Sequence, residues 1–78
     1  MSVRIVYLGY LSDIAGTREE EVVLPDSKTS TVKRVLNAKV LSLGENALLV
    51  LVNSLPASLN STVKPGDTIK VLPHVGGG

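Results

Sequence analysis

Apolar residues in this chain fall into short runs, separated by glycine, proline and small polar residues. Val3 to Leu8 is apolar everywhere except Arg4, which predicts a central strand covered on both faces. Gly9 and Gly16 bracket Tyr10 to Ala15, where Leu11, Ile14 and Ala15 suit a short helical turn. Glu19 to Leu24 reads as a second strand, closed by Pro25-Asp26. Val32, Val35, Leu36 and Val40 lie at i, i+3, i+4 and i+8, the spacing of one helix face. Thr29-Ser30-Thr31 offers N-cap hydroxyls just before them, and the helix should end before Gly44. Lys33 and Arg34 fall in its first turn, against the macrodipole. Ala47 to Val52 predicts a third strand and Leu55 to Ser58 a short one paired back through an Asn53-Ser54 turn. Lys64-Pro65-Gly66-Asp67 fits a type II turn, with Pro at i+1 and Gly at i+2. Thr68 to Leu72 is then the last strand.

The order is β, β, α, β, short β, β, an α+β domain with a mixed sheet of four to five strands packed on one helix. A single helix covers only one face of such a sheet. If Ile5, Tyr7, Val50, Val52, Ile69 and Val71 take the helix side, alternation along each strand sends their neighbours to the other face. Val6, Leu8, Leu49, Leu51 and Leu72 then point the other way, as an apolar patch without cover of its own. Such a patch marks a surface for a protein partner, unless loops 9–18 and 54–63 fold over it. Leu49 and Leu51 suit either outcome, whereas Leu8 and Leu72, nearer the C-terminus, favour a partner.

Composition narrows the chemistry. The 78 residues suffice for one small domain, read as 1–75, followed by a glycine tail, 76–78. Without cysteine there is no disulfide, thiolate nucleophile or Cys-based metal site, and the single His74 makes no plausible zinc site. Net charge is +1 with no basic block, so nucleic-acid binding has no electrostatic footprint. Glu19-Glu20-Glu21 reads as the solvated end of a strand. No apolar run has the length of a membrane span, and the N-terminus to Asp13 lacks a signal-peptide core. A cytoplasmic protein is expected. There is no phosphate-cradling G-x-x-x-x-G-K-[ST] loop.

The terminus is more informative. Gly76, Gly77 and Gly78 follow Val71-Leu72-Pro73-His74-Val75 directly. Without Cβ atoms, such a tail threads a narrow channel and presents one group, the Gly78 α-carboxylate. The same glycines also suit a frayed end.

This order with its glycine ending resembles the ubiquitin-like sulfur carriers, a group that includes the molybdopterin synthase small subunit, thiamine-type carriers and ubiquitin-related modifiers. The first strand with Leu11-Ser12-Asp13-Ile14-Ala15-Gly16-Thr17 resembles the strand and L-x-E-L-x-G segment of the small-subunit family. Val52-Asn53 resembles its V-N, and Gly66-Asp67 through Gly78 its G-D-E-V-x-x-x-P-P-V-x-G-G ending. Three features depart from the pattern: His74 replaces the second proline, Gly76 precedes the terminal pair, and the segment between helix and third strand is short.

The resemblance implies a β-grasp (ubiquitin-like) fold with a flexible tail, on a carrier that is itself a substrate rather than an enzyme. A ubiquitin-activating-type adenylating enzyme would use ATP to convert the Gly78 carboxylate to an acyl-adenylate. Sulfur from a persulfide donor would then give a terminal thiocarboxylate. Gly76 and Gly77 would provide thin backbone for channel entry, and Leu8, Pro56 and Leu72, with Leu51 behind them, would dock the partner. No cofactor or metal would be bound by this chain. The acceptor implied first is the molybdopterin synthase large subunit. The alternative is a modifier conjugated to target-protein lysines, or a carrier for transfer-RNA thiolation; a plain β-grasp binding module is the third reading. His74 is expected to position the tail at most, and Asn53 and Asp67 are read as turn residues.

Overall fold

A computed structural model describes residues 1–74 of the chain. Five strands form one mixed sheet: β1 (Ser2–Tyr7), β2 (Glu19–Val23), β4 (Leu48–Val52), β5 (Leu55–Ala57) and β7 (Thr68–Pro73), in the order β2-β1-β7-β4-β5. Only β1 and β7 run parallel; the other neighbours are antiparallel. A separate two-stranded ladder joins β3 (Ser30–Thr31) to β6 (Thr62–Val63). Register supports the face assignment. One cross-sheet row reads Ile5, Ile69, Val52 and the next Tyr7, Val71, Val50, Ala57. Ile5, Tyr7, Ile69, Val71 and Val50 are all buried, and Val52 packs against their cluster.

The predicted helix face is present, since Val32, Val35, Leu36 and Val40 are all buried. The helix itself is split into α2 (Val32–Val35) and α3 (Ala38–Leu41). Leu36 leaves the helix with an extended ψ of 150°, and Asn37 restarts it. The Asn37 side chain accepts hydrogen bonds from the backbone N–H groups of Lys39 and Val40, which makes it the N-cap of α3. Tyr7 secures the break: its hydroxyl accepts the Asn37 N–H at 2.8 Å and donates to Glu20 at 2.6 Å. The unfavourable placement of Lys33 and Arg34 loses its meaning in a one-turn helix.

The expected hydroxyl cap is not used. Ser30 and Thr31 are in β3, and no side chain caps α2. Backbone carbonyls do that work, with Val32 N–H donating to Ser61 and Lys33 N–H to Leu59. Both predicted turns form. Asn53 and Ser54 have φ of 51° and 70°, the two positive values a type I′ hairpin requires. Gly66 has φ 94°, and Asp67 N–H closes its turn onto the Lys64 carbonyl at 3.1 Å. The helix α1 (Leu11–Ala15) packs on the core side through Leu11.

Candidate functional site

The face away from the helices has no cover among the described residues. Along it the register sets Glu19, Val6, Lys70, Leu51 and Pro56 in one row across all five strands. Leu72 and Leu49 pair in the next row, and Leu8 continues the alternation of β1 just past its end. Leu49 is 46% exposed and Leu8 36%, while Leu51, Leu72 and Val6 are half-buried. The expectation that β1 is covered on both faces is therefore corrected. It lies inside the sheet order, but packing reaches only its helix side.

Loops 9–18 and 54–63 do not close over this patch. Leu11, Ile14 and Ala15 from the first, and Leu59 from the second, pack against the core on the helix side.

Leu8, Leu51, Pro56 and Leu72, named from the sequence as docking residues, thus share one face. Sequence reasoning missed Lys70, which stands between Val6 and Leu51 at the middle of that face. Alternation had the signal: with Ile69 and Val71 inward, Lys70 must point outward. Nearer the β2 edge, Arg4 bonds Glu19 at 2.6 Å, an exposed pair worth little to stability. Lys70 stands among the apolar side chains of its row, and Arg18 borders the same face beside Val6 and Leu8.

The chain leaves the sheet at the edge of the same face. β7 is the middle strand, so its end is flanked by β1 on one side and β4 on the other. Pro73 lies against Gly9, where an added Cβ would sit 3.1 Å from the proline Cγ. Opposite, His74 donates its backbone N–H to Ala47 at 2.9 Å. Its Nδ1 lies 3.1 Å from the Asn46 carbonyl, which can only accept, so Nδ1 carries the proton. Gly76, Gly77 and Gly78, the predicted tail and reactive terminus, lie outside the described residues.

Asn53 and Asp67 do more than shape their own turns. Asn53 donates to Asp67 at 2.9 Å and accepts the Thr68 N–H at 3.0 Å. Asp67, 6% exposed, also accepts the Lys64 N–H at 2.9 Å and lies 3.2 Å from its ammonium. Burial by itself would raise the Asp67 carboxyl. The bonds from Lys64 N–H, the Asn53 amide and the Lys64 ammonium outweigh it and hold the group below the usual carboxylate range. This cluster ties two hairpin ends together at the end of the sheet remote from the exit, so its role is structural.

Among the described residues no helix is long and apolar enough to cross a membrane, and no group of three or more His, Asp or Glu is placed to hold a metal.

Comparison with known proteins follows the same outline. The ThiS family model matches residues 5–78. The fold is similar to that of SAMP1 from Haloferax volcanii, at 27% identity and TM-score 0.74, with all of both chains covered. It is also similar to the putative molybdopterin converting factor, subunit 1, of Pyrococcus furiosus. There the identity is 24% and the TM-score 0.72, over 96% of this chain and 99% of that one. The small archaeal modifier protein 1 of Methanosarcina acetivorans gives 22% and 0.72, over 99% and 96%. No curated protein sequence matches the chain.

Proposed function

This chain belongs to the ThiS family of ubiquitin-like sulfur carriers and has its β-grasp fold, and from that premise we propose that Gly78 carries sulfur as a C-terminal thiocarboxylate. Members of this family are small carriers or modifiers on which enzymes act, not catalysts themselves. The observation that carries the reading is the family match through the last residue, Gly78, on a chain whose exit lies at the border of a bare apolar sheet face.

The chemistry follows from what a carboxylate lacks. Attack on it would add charge to an anion and expel oxide, so it is first activated. A carboxylate oxygen of Gly78 attacks the α-phosphorus of ATP held by an adenylating enzyme. A C–O–P linkage forms, the α–β anhydride breaks and pyrophosphate departs. The terminal sulfur of a partner's persulfide then attacks the acyl carbon; the C–S bond forms and AMP leaves with the C–O electron pair. A partner thiol cleaves the resulting acyl disulfide and is oxidised to a disulfide, while the thiocarboxylate retains the sulfur and its electron pair. This chain binds neither ATP nor a cofactor in that sequence. It supplies the terminus, thin backbone at Gly76 and Gly77, and a docking face formed by Leu8, Leu51, Pro56 and Leu72.

The energetics are consistent. Holding the four residues after His74 in an active-site channel costs about 1–2 kcal/mol each, or about 4–8 kcal/mol together. At about 25 cal/mol per Å², burying roughly 160–320 Å² of apolar surface offsets this, an area within reach of a patch of five or six large side chains.

The acceptor we favour is the large subunit of a molybdopterin-forming synthase, on the resemblance of the Gly66–Gly78 ending to the small-subunit pattern. The second reading is a modifier joined to lysines of target proteins. It is favoured by the likeness to SAMP1 at 27% identity and by His74 and Gly76, which depart from the small-subunit ending. ATP–pyrophosphate exchange tests the shared step. An adenylating enzyme of this class should catalyse exchange only when this chain is present, and exchange that is indifferent to the chain contradicts the proposal. Recovery of a stoichiometric large-subunit partner without conjugates supports the first acceptor, and a ladder of lysine conjugates the second.

A further inference from the structure

The carrier reading expects of His74 no more than positioning of the tail, and the fold shows how it is gripped. Pro73 has no N–H, so it cannot donate to the β4–β7 ladder beside its register partner Leu48. The next donor is the His74 N–H, bonded to Ala47 at 2.9 Å. The imidazole adds a second bond, from Nδ1 to the Asn46 carbonyl at 3.1 Å. Both acceptors lie in the single 3-10 turn Glu45–Ala47 that leads into β4. Across the exit, Pro73 rests against Gly9, whose φ of 58° and missing Cβ permit the contact. The chain is thus held from both flanking strands at residues 73 and 74, four residues before Gly78 in sequence.

We propose that His74 is a positioning residue: its paired bonds to Asn46 and Ala47 set the point and direction from which the reactive terminus is delivered to the adenylating enzyme. The inference rests on the carrier reading above. Four residues reach at most about 13–14 Å when extended, so the exit point decides which channel depth Gly78 attains. Loosening His74 enlarges the volume the carboxylate searches after docking. Docking itself uses the sheet face and is unaffected. The role therefore belongs to turnover and not to affinity.

The test is steady-state ATP–pyrophosphate exchange with the full chain, His74→Ala and His74→Asn as alternative substrates. Asparagine places an N–H donor at about the position of Nδ1 and should reach the Asn46 carbonyl. His74→Ala is expected to lower kcat about three- to tenfold, the value of one ordinary hydrogen bond, with KM unchanged and the thermal midpoint lowered by no more than about 4–8 °C. His74→Asn should restore most of the rate. Amide exchange at residue 74 in the free proteins supplies a partner-independent readout: slow in wild type and His74→Asn, faster in His74→Ala. Equal kcat for all three, or a rise in KM at constant kcat, overturns the positioning role while leaving the carrier reading standing. Absence of exchange with the wild-type chain overturns the carrier reading, and this proposal with it.

Discussion

Replacing Tyr7 by Phe tests the joint that divides the helix. The ring is 2% exposed and would stay in place, so the substitution removes only the hydroxyl. Two bonds go with it: the 2.6 Å bond donated to Glu20 and the 2.8 Å bond accepted from the Asn37 N–H. A bond to a charged group contributes about 1.5–3 kcal/mol and a neutral one about 0.5–1.5 kcal/mol. Glu20 and Asn37 are only half-buried, and water recovers part of both, which leaves about 2 kcal/mol. For a domain of this size that corresponds to a fall in Tm of about 8–16 °C, measured by circular dichroism at pH 7. Burial first, and the Glu20 acceptor second, raise the Tyr7 pKa above the ordinary tyrosine range. A raised folded pKa gives stability that is complete below the unfolded pKa, about 10, and is lost as pH rises from there toward the folded value. The gap between wild type and Tyr7→Phe should therefore stay constant from pH 7 to about 10, then narrow by about 1.4 kcal/mol per pH unit. A fall in Tm below about 3 °C at pH 7, or a gap that widens in alkali, refutes the reasoning.

Asp67→Asn sets an NH2 donor against either the Asn53 amide or the Lys64 N–H, whichever way it turns, and should cost about 1–3 kcal/mol at pH 7 in urea unfolding. Because the Asp67 carboxyl is held low, its contribution is present above the unfolded pKa of about 3.9 and fades as pH falls through the folded value. The variant should therefore lose less stability than wild type on acidification, and parallel acid limbs would contradict this. Leu72→Asp places a carboxylate on the proposed docking face and should weaken binding of the adenylating enzyme at least tenfold, about 1.4 kcal/mol, in calorimetric titration with the domain still folded. Unfolding of that variant would make Leu72 a core residue instead.

The strands and turns were legible because their determinants are local. Alternation in Thr68–Leu72, where Lys70 separates Ile69 from Val71, marks the two faces, whereas Val3–Leu8 is apolar on both and takes its facing from its register with that strand; Pro65-Gly66 and Asn53-Ser54 carry the φ values their turns need. The break at Leu36-Asn37 was not legible, because what stabilises it is a hydroxyl 30 residues away in sequence. The helical spacing of Val32, Val35, Leu36 and Val40 is the same with or without the break. Caps for α2 come from Ser61 and Leu59 carbonyls, which carry no side-chain signature. Alternation groups Leu8, Leu51 and Leu72 on one face, and Pro56 joins them through its register with Leu51. Lys70 carries no apolar signal, although the same alternation places it at the centre of that face. Asn53 and Asp67 looked like independent turn formers, and only the antiparallel β4–β7 register brings them within bonding distance.

The account stands on Gly78 as the sulfur-bearing group, and intact mass spectrometry reads that directly. After incubation with the adenylating enzyme, ATP and a persulfide donor, the chain should gain the mass difference between one sulfur and one oxygen, confined to the C-terminal peptide. A chain lacking Gly77 and Gly78 should fold with the same Tm and gain nothing. A mass gain that persists in the shortened chain, or that maps to any other peptide, contradicts the account.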